Sequence, residues 1–221
     1  HKVMENMWRP SGKDIIIQSA LWDAIPNYFE GKEETGICVV DTSGSMSGQP
    51  MEVAISLGMY CADKCRGPYH GKFITFSANP ELQEIKGSNI YEKVGNMSRA
   101  SWSMNTNLEK VFDLILYTAT KNHCKQQDIP AKLYIISDMQ FDDATTSYDY
   151  GRDYYGRRTR EARGGITFMD SMRKKYADYG YTLPAIVYWN VRASKCGMFQ
   201  QRFGDTDCCM VSGYSPSLFK A

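Results

Sequence analysis

Short apolar runs, spaced along the chain and bounded by polar residues or glycine, are the main pattern of the sequence. Each run has the length and the β-branched or aromatic content of a buried strand. Predicted strands fall at residues 36–40 (GICVV), 72–77 (KFITFS), 132–138 (KLYIISD), 184–190 (PAIVYWN) and 208–212 (CCMVS). A shorter alternating segment at residues 81–85 (ELQEI) predicts an edge strand in a hairpin with the second run.

Segments with helical spacing of apolar residues separate most of these runs. The predicted helices cover residues 21–29, 53–65, 108–117 and 159–179, and another begins at residues 216–221. Alternating strands and helices predict an α/β fold, with a doubly wound, mostly parallel, Rossmann-like sheet and helices on both faces. We expect residues 1–35 to form a helical extension packed on a domain of residues 36–221, whose final helix is truncated.

The composition of the chain limits the cellular environments and the kinds of partner that we expect for the protein. The formal net charge of the 221 residues is +1, so no whole-molecule field favours nucleic acid or anionic lipid. The apolar runs are shorter than the roughly 20 residues of a membrane-spanning helix. Seven cysteines without the spacing of a disulfide scaffold, and no secretory signal, favour a cytoplasmic location, with a nuclear one as the alternative.

Oxygen-bearing side chains follow the predicted strands at the edge where ligands of parallel sheets bind. Asp41, Ser43 and Ser45 come after the first strand, Thr106 precedes a helix, and Asp138 ends a later strand. Carboxylate and hydroxyl oxygens suit Mg²⁺, Mn²⁺ or Ca²⁺, whereas zinc usually recruits histidine or cysteine. These five residues are the candidate metal site, and we expect the two glycines of the loop, at 44 and 48, to let the serines face one point.

The run DTSGSM at residues 41–46 resembles the DxSxS signature of the metal-ion-dependent adhesion site (MIDAS) of von Willebrand factor A-type domains. Thr106 and Asp138 match the threonine and the aspartate that complete this motif. The wider sequence is similar to the C-terminal A-type domain of the DUF2828 family, through LPAIVYWNV at residues 183–191 and VSGYSPSLFKA at residues 211–221. More distantly, it resembles the A-type domain of the Ro/TROVE proteins.

The resemblance implies a function as well as a fold. In A-type domains the two serines and the threonine bind the ion directly, while both aspartates often reach it through water. An open coordination position then accepts a carboxylate from a partner. The expected function is divalent-cation-dependent protein–protein interaction rather than catalysis.

Less specific explanations exist for each of these features. The loop at residues 42–50 has the composition of any strand-to-helix connection. A magnesium-dependent phosphatase is the enzyme alternative, against which we note no lysine or arginine adjacent to either aspartate. Cys61 and Cys65 are expected to pack in the core, and Cys208 and Cys209 to lie in a buried strand.

The insertion at residues 148–163 mixes aromatic rings with cations, a composition found in proteins that bind single-stranded nucleic acid. An RNA-associated A-type domain is therefore the alternative function, although a partner-docking loop is the commoner explanation for such a segment. The candidate contacts, to partner or RNA, are Tyr154, Tyr155, Arg157, Arg158 and Arg160.

Overall fold

The computed structural model describes residues 10–30, 35–76, 79–100, 108–138, 148–152, 158–162, 168–192 and 207–220. Its helices are α1 (Gly12–Asp23), α2 (Gln49–Lys64), α3 (Ile90–Ser98), α4 (Leu108–Lys121) and α5 (Phe168–Asp178). Its strands are β1 (Gly36–Asp41), β2 (Lys72–Phe76), β3 (Leu82–Glu84), β4 (Lys132–Ser137), β5 (Tyr148–Arg152), β6 (Arg158–Ala162), β7 (Ala185–Asn190) and β8 (Cys208–Ser212). Short 3-10 helices occupy Gly44–Met46, Gln126–Asp128 and Pro216–Lys220.

Six of the strands form one sheet in the order β3-β2-β1-β4-β7-β8. All neighbours in this sheet run parallel except β3, which pairs antiparallel with β2 at the edge. The predicted doubly wound sheet and its hairpin are therefore confirmed. β1 lies between β2 and β4. The chain after β1 leads to α2 on one face of the sheet, whereas the chain after β4 leads to α5 on the other face, so a crevice is expected at the carboxyl ends of these two strands.

Side chains of the central strands alternate between two apolar layers. In β1, Cys38 and Val40 face the layer that α2 and α3 cover, whereas Ile37 and Val39 face the layer under α4 and α5. All six residues of β1 are buried. A strand with both faces covered favours apolar side chains on both faces, which explains the continuous hydrophobic run at residues 37–40 before the terminal Asp41. The prediction of helices on both faces is confirmed.

The N-terminal helix begins and ends earlier than its apolar pattern predicted. Ser11 caps it, because its hydroxyl accepts from the Asp14 N–H while the Asp14 carboxylate accepts from the Ser11 N–H. Pro26 follows shortly after the end of the helix. The helical conformation is unfavourable for the residue before a proline, so the helix cannot easily continue through this position. Trp22 anchors the helix through a bond from Nε1 to Asp63 Oδ2 at 3.1 Å.

Three other segments differ from the secondary structure predicted from the sequence. Part of the helix predicted at residues 159–179 is the strand β6, which pairs antiparallel with β5, and the helix starts only at Phe168. α3 was not predicted, although Asn89 caps it by accepting from the Glu92 N–H. The predicted start of a final helix is a 3-10 helix.

The cysteines of β8 are also placed differently from the prediction. Cys208 is half-buried and Cys209 is exposed, because β8 is an edge strand of the sheet and not an interior one. Cys61 and Cys65 are buried in the core, as predicted. Among the described residues, no helix combines the length and the hydrophobicity needed to cross a bilayer.

α2 packs unusually close to β1, and this contact yields a prediction. A Cβ atom added at Gly58 would collide with Cγ2 of the buried Val40. Gly58→Ala should therefore lower the free energy of unfolding by about 1–3 kcal/mol, the usual cost of overpacking a core. Urea unfolding followed by circular dichroism measures the change.

Gly95→Ala in α3 is the matched control for this substitution. The nearest atom to a Cβ at Gly95 is Nη2 of Arg99 at 3.6 Å, so a methyl group fits there. This variant should be as stable as the wild type or more stable by up to about 1 kcal/mol, from helix propensity. Equal stability of the two alanine variants would contradict the close packing of α2 on β1.

Candidate functional site

The loop between β1 and α2 carries three of the predicted site residues. Asp41 is the last residue of β1, and the chain then turns through the 3-10 helix at Gly44–Met46. Gly48 has a φ of 85°, a left-handed conformation that favours glycine, directly before α2 begins. Gly44 has no such conformation and open space around it, so the prediction that the loop needs glycine at this position is wrong.

Asp41 is wholly buried between two hydrogen-bond donors. Ser137 Oγ donates to Asp41 Oδ2 at 2.6 Å, and the Ser43 N–H donates to Oδ1 at 2.9 Å. Burial raises the pKa of the Asp41 carboxyl, the hydrogen bonds from Ser137 and Ser43 lower it, and the charge of Asp138 raises it further. The net result is a pKa above the usual range, because desolvation outweighs the two donors.

The hydroxyl groups of Ser43 and Ser45 converge. Their Oγ atoms lie 3.0 Å apart, so both serines turn toward one point, as predicted. Asp138 follows β4 directly and is wholly buried. Because β1 and β4 are neighbouring parallel strands, Asp41 and Asp138 share the carboxyl edge of the sheet. The structure therefore brings together four of the five predicted site residues.

Thr106, the fifth predicted residue, lies outside the described residues, and so do Tyr154, Tyr155 and Arg157. The strand β6 contains Arg158 and Arg160, of which only the backbone is described. The contribution of the threonine to the site and the contact of the insertion with a partner or RNA both stay predictions.

Ser137 and Arg192 belong to the site but were not predicted. One guanidinium nitrogen of Arg192, Nη1, donates to the backbone carbonyl of Ser45 and to Asp138 Oδ2, the latter at 3.4 Å. No lysine or arginine is adjacent to either aspartate in the sequence, but the fold brings Arg192 into contact with Asp138. The signal for Ser137 was its place at the end of a predicted strand, directly before Asp138, whereas finding Arg192 requires knowing that β7 lies next to β4.

A cluster of thiols lies in the core near the C-terminal end of α2, away from this loop. Cys38, Cys61 and Cys65 are buried, and burial raises the pKa of the first two thiols. Hydrogen bonding to Cys61, together with burial, raises the pKa of the Cys65 thiol.

In the described part of the chain, no three His, Cys, Asp or Glu side chains are arranged to hold a metal ion.

A mostly apolar cavity of 430 Å³ lies between α1, α2 and α3. Trp22, Val53, Leu57 and Tyr60 are among the side chains that line it. None of the candidate site residues does, so this cavity is separate from the loop after β1.

Together, these observations describe a Rossmann-like α/β domain with a buried, oxygen-rich cluster at the carboxyl edge of its sheet. The family described as "Domain of unknown function (DUF7788)" matches residues 35–221, and the chain belongs to that family. A protein of Acanthamoeba polyphaga mimivirus named "Uncharacterized protein L728" is 36% identical over 225 residues, a match that covers 100% of this chain. The chain spans 36% of that protein's length. Neither description mentions an A-type domain or a metal, so both stay predictions.

The hydrogen bond between Ser137 and Asp41 leads to a stability prediction. Ser137→Ala leaves the buried carboxylate without one of its donors and should lower the free energy of unfolding by about 1–3 kcal/mol. Thermal and urea unfolding of metal-stripped protein measure the loss. Ser56→Ala in α2 is the control, since its hydroxyl donates only to the Glu52 carbonyl of its own helix. Equal stability of both variants would show that Asp41 does not depend on Ser137.

Proposed function

We propose that this domain is a divalent-cation-dependent binding module of the MIDAS type. Asp41, Ser43, Ser45 and Asp138, with Thr106, would hold Mg²⁺, or Mn²⁺ or Ca²⁺ in its place. When bound, the ion supplies a positively charged coordination position that accepts a carboxylate from a protein partner. The A-type resemblance stated for the sequence is part of this proposal.

The convergence of the two serine hydroxyls is the observation that carries the proposal. Two Oγ atoms 3.0 Å apart, beside two buried carboxylates, form an oxygen-only set of donors. Hard divalent cations prefer such a set, whereas an ordinary helix-capping loop needs only one side chain to accept from a backbone N–H. The 3-10 helix after Ser43 in fact receives no side-chain cap.

The electrostatics of the carboxylates support a cation in the same place. The neighbouring charge of Asp138 and burial both disfavour ionised Asp41, and the donors to Asp41 from Ser137 and Ser43 are neutral. Buried charges are stabilised by pairing or by metal coordination. A divalent cation held between the two acids would therefore stabilise the folded protein.

The cellular setting remains part of the proposal. The six cysteines in the described part of the chain are all free thiols, which fits a reducing compartment. We accordingly propose a cytoplasmic location, with a nuclear one as the alternative, and an acidic protein surface as the partner.

The first test is thermal unfolding of metal-stripped protein titrated with Mg²⁺, Mn²⁺ or Ca²⁺. An ion that binds only the folded state raises its stability by mass action, by about 2.7 kcal/mol at a free-ion concentration of one hundred times Kd. A saturable rise in Tm is expected for at least one ion. Asp41→Asn, which retains the shape of the side chain but not its charge, should fold and lose most of this rise.

Asp63→Asn is the control, because it removes a partly buried carboxylate far from the loop. Asp63 lies near the end of α2, a helix that runs about 24 Å away from the loop at 1.5 Å per residue. It pairs with Lys93 at 2.7 Å and should leave the response to ions unchanged. No rise in the wild type with any ion, or an equal rise in Asp41→Asn, would rule out the proposed site.

Phosphoryl transfer is the second candidate, because Arg192 places a guanidinium beside the Asp138 carboxylate. Release of nitrophenol from p-nitrophenyl phosphate with Mg²⁺ distinguishes the two functions. If the domain is a binding module, the wild type should release no more nitrophenol than the Asp41→Asn variant does. Turnover that requires Mg²⁺ and disappears in both Asp41→Asn and Arg192→Gln would make phosphoryl transfer the function instead.

A further inference from the structure

Arg192 is held in place by the end of β7. Its backbone N–H donates to Asn190 Oδ1 at 2.8 Å, which closes a short turn directly after the strand. The Val191 N–H donates to the Ser137 carbonyl at 3.1 Å, so this turn is also attached to β4. The side chain therefore starts from a fixed point at the carboxyl edge of the sheet.

The guanidinium of Arg192 bonds to two groups of the candidate ion site at once. Nη1 reaches the Ser45 carbonyl, in the loop after β1, and the wholly buried carboxylate of Asp138, after β4. An arginine side chain is always charged in proteins and presents five N–H donors. About a third of this side chain, 32%, remains exposed.

We propose that Arg192 is an internal counter-cation of the ion site, which shares the Asp138 carboxylate with the divalent ion and thereby weakens ion binding. This inference rests on the proposed function. Any cation held by Asp138 faces a permanent positive charge on the same carboxylate, and like charges at such separations repel strongly away from bulk water. Arg192 thus sets the ion affinity of the domain.

One consequence concerns the partner. An incoming carboxylate is attracted both by the ion and by the guanidinium, whose planar fork matches carboxylate geometry. The ion and an acidic partner should therefore bind cooperatively, with each increasing the affinity for the other.

A different role for Arg192 predicts the opposite effect on ion binding. If its main role were to hold the loop through the Ser45 carbonyl, loss of the guanidinium would disorder the serines and weaken ion binding. Arg192→Lys and Arg192→Gln separate the two roles. Both substitutions remove the guanidinium fork, but only lysine retains the positive charge.

Isothermal titration of Mg²⁺ and Mn²⁺ into metal-stripped protein tests the inference without any assay of activity. Arg192→Gln should bind the ions about tenfold more tightly than Arg192→Lys, a difference of about 1.4 kcal/mol in binding free energy. The affinity of the wild type should lie within about threefold of that of the lysine variant. Circular dichroism verifies that each variant folds. If Arg192→Gln does not fold, Arg192→Met replaces it as the uncharged variant to compare with Arg192→Lys.

Arg173→Gln is the matched control. It removes a guanidinium that pairs with Asp170 and with Asp207 at 2.9 Å. Asp207 directly precedes β8, which runs parallel to β7, so this pair lies at the amino edge of the sheet, opposite the site. Ion affinity should be unchanged in this variant.

The outcomes separate this inference from the proposed function. Equal ion affinity in the uncharged and lysine variants would overturn the proposed role of Arg192. So would an ion affinity below that of the wild type in all of these variants. Either result would leave the proposed ion site intact. Binding in the uncharged variants alone, with none measurable in the wild type, would support the repulsion from Arg192 but would rule out ion binding as the function of the wild-type domain. No binding in any variant would remove both the ion site and the inference.

Discussion

The parallel pairing of β1 with β4 is the constraint on which the carboxyl edge of this domain depends. The register, with Val40 opposite Ile136, puts Asp41 beside Ser137, and the hydrogen bond between those two side chains joins the strands at their last residues. Asp138 then follows one position later. Because β2 flanks β1 on its other side, the loops after β1 and β4 diverge and leave the acids in the crevice between them.

Burial of two carboxylates at one point is unfavourable unless the surroundings compensate for it. Asp41 obtains hydrogen bonds from neutral donors, and its pKa is nevertheless raised, mainly by burial. The guanidinium of Arg192 compensates part of the charge of Asp138. The negative charge of these two acids is compensated only in part by the surrounding described groups, which is the physical basis of the proposed ion site.

The sequence predicted the parts of the fold that depend on local pattern. The strands β1, β4 and β7 are apolar runs bounded by polar residues or glycine, and their ends indicated where Asp41 and Asp138 would meet. β6 could not be predicted in this way, since its residues have few apolar side chains and its conformation comes from pairing with β5. The contact of Arg192 with Asp138 depends on the order of strands in the sheet, which no local pattern specifies.

Anomalous X-ray scattering from a crystal of the protein soaked in Mn²⁺ tests the central claim most directly, because it locates the ion without reference to stability or activity. The account predicts a single strong peak within bonding distance of the Ser43 and Ser45 hydroxyls, at the edge of the sheet where Asp41 and Asp138 meet. A Mn²⁺ peak elsewhere on the molecule, with none beside the two serines, would contradict it.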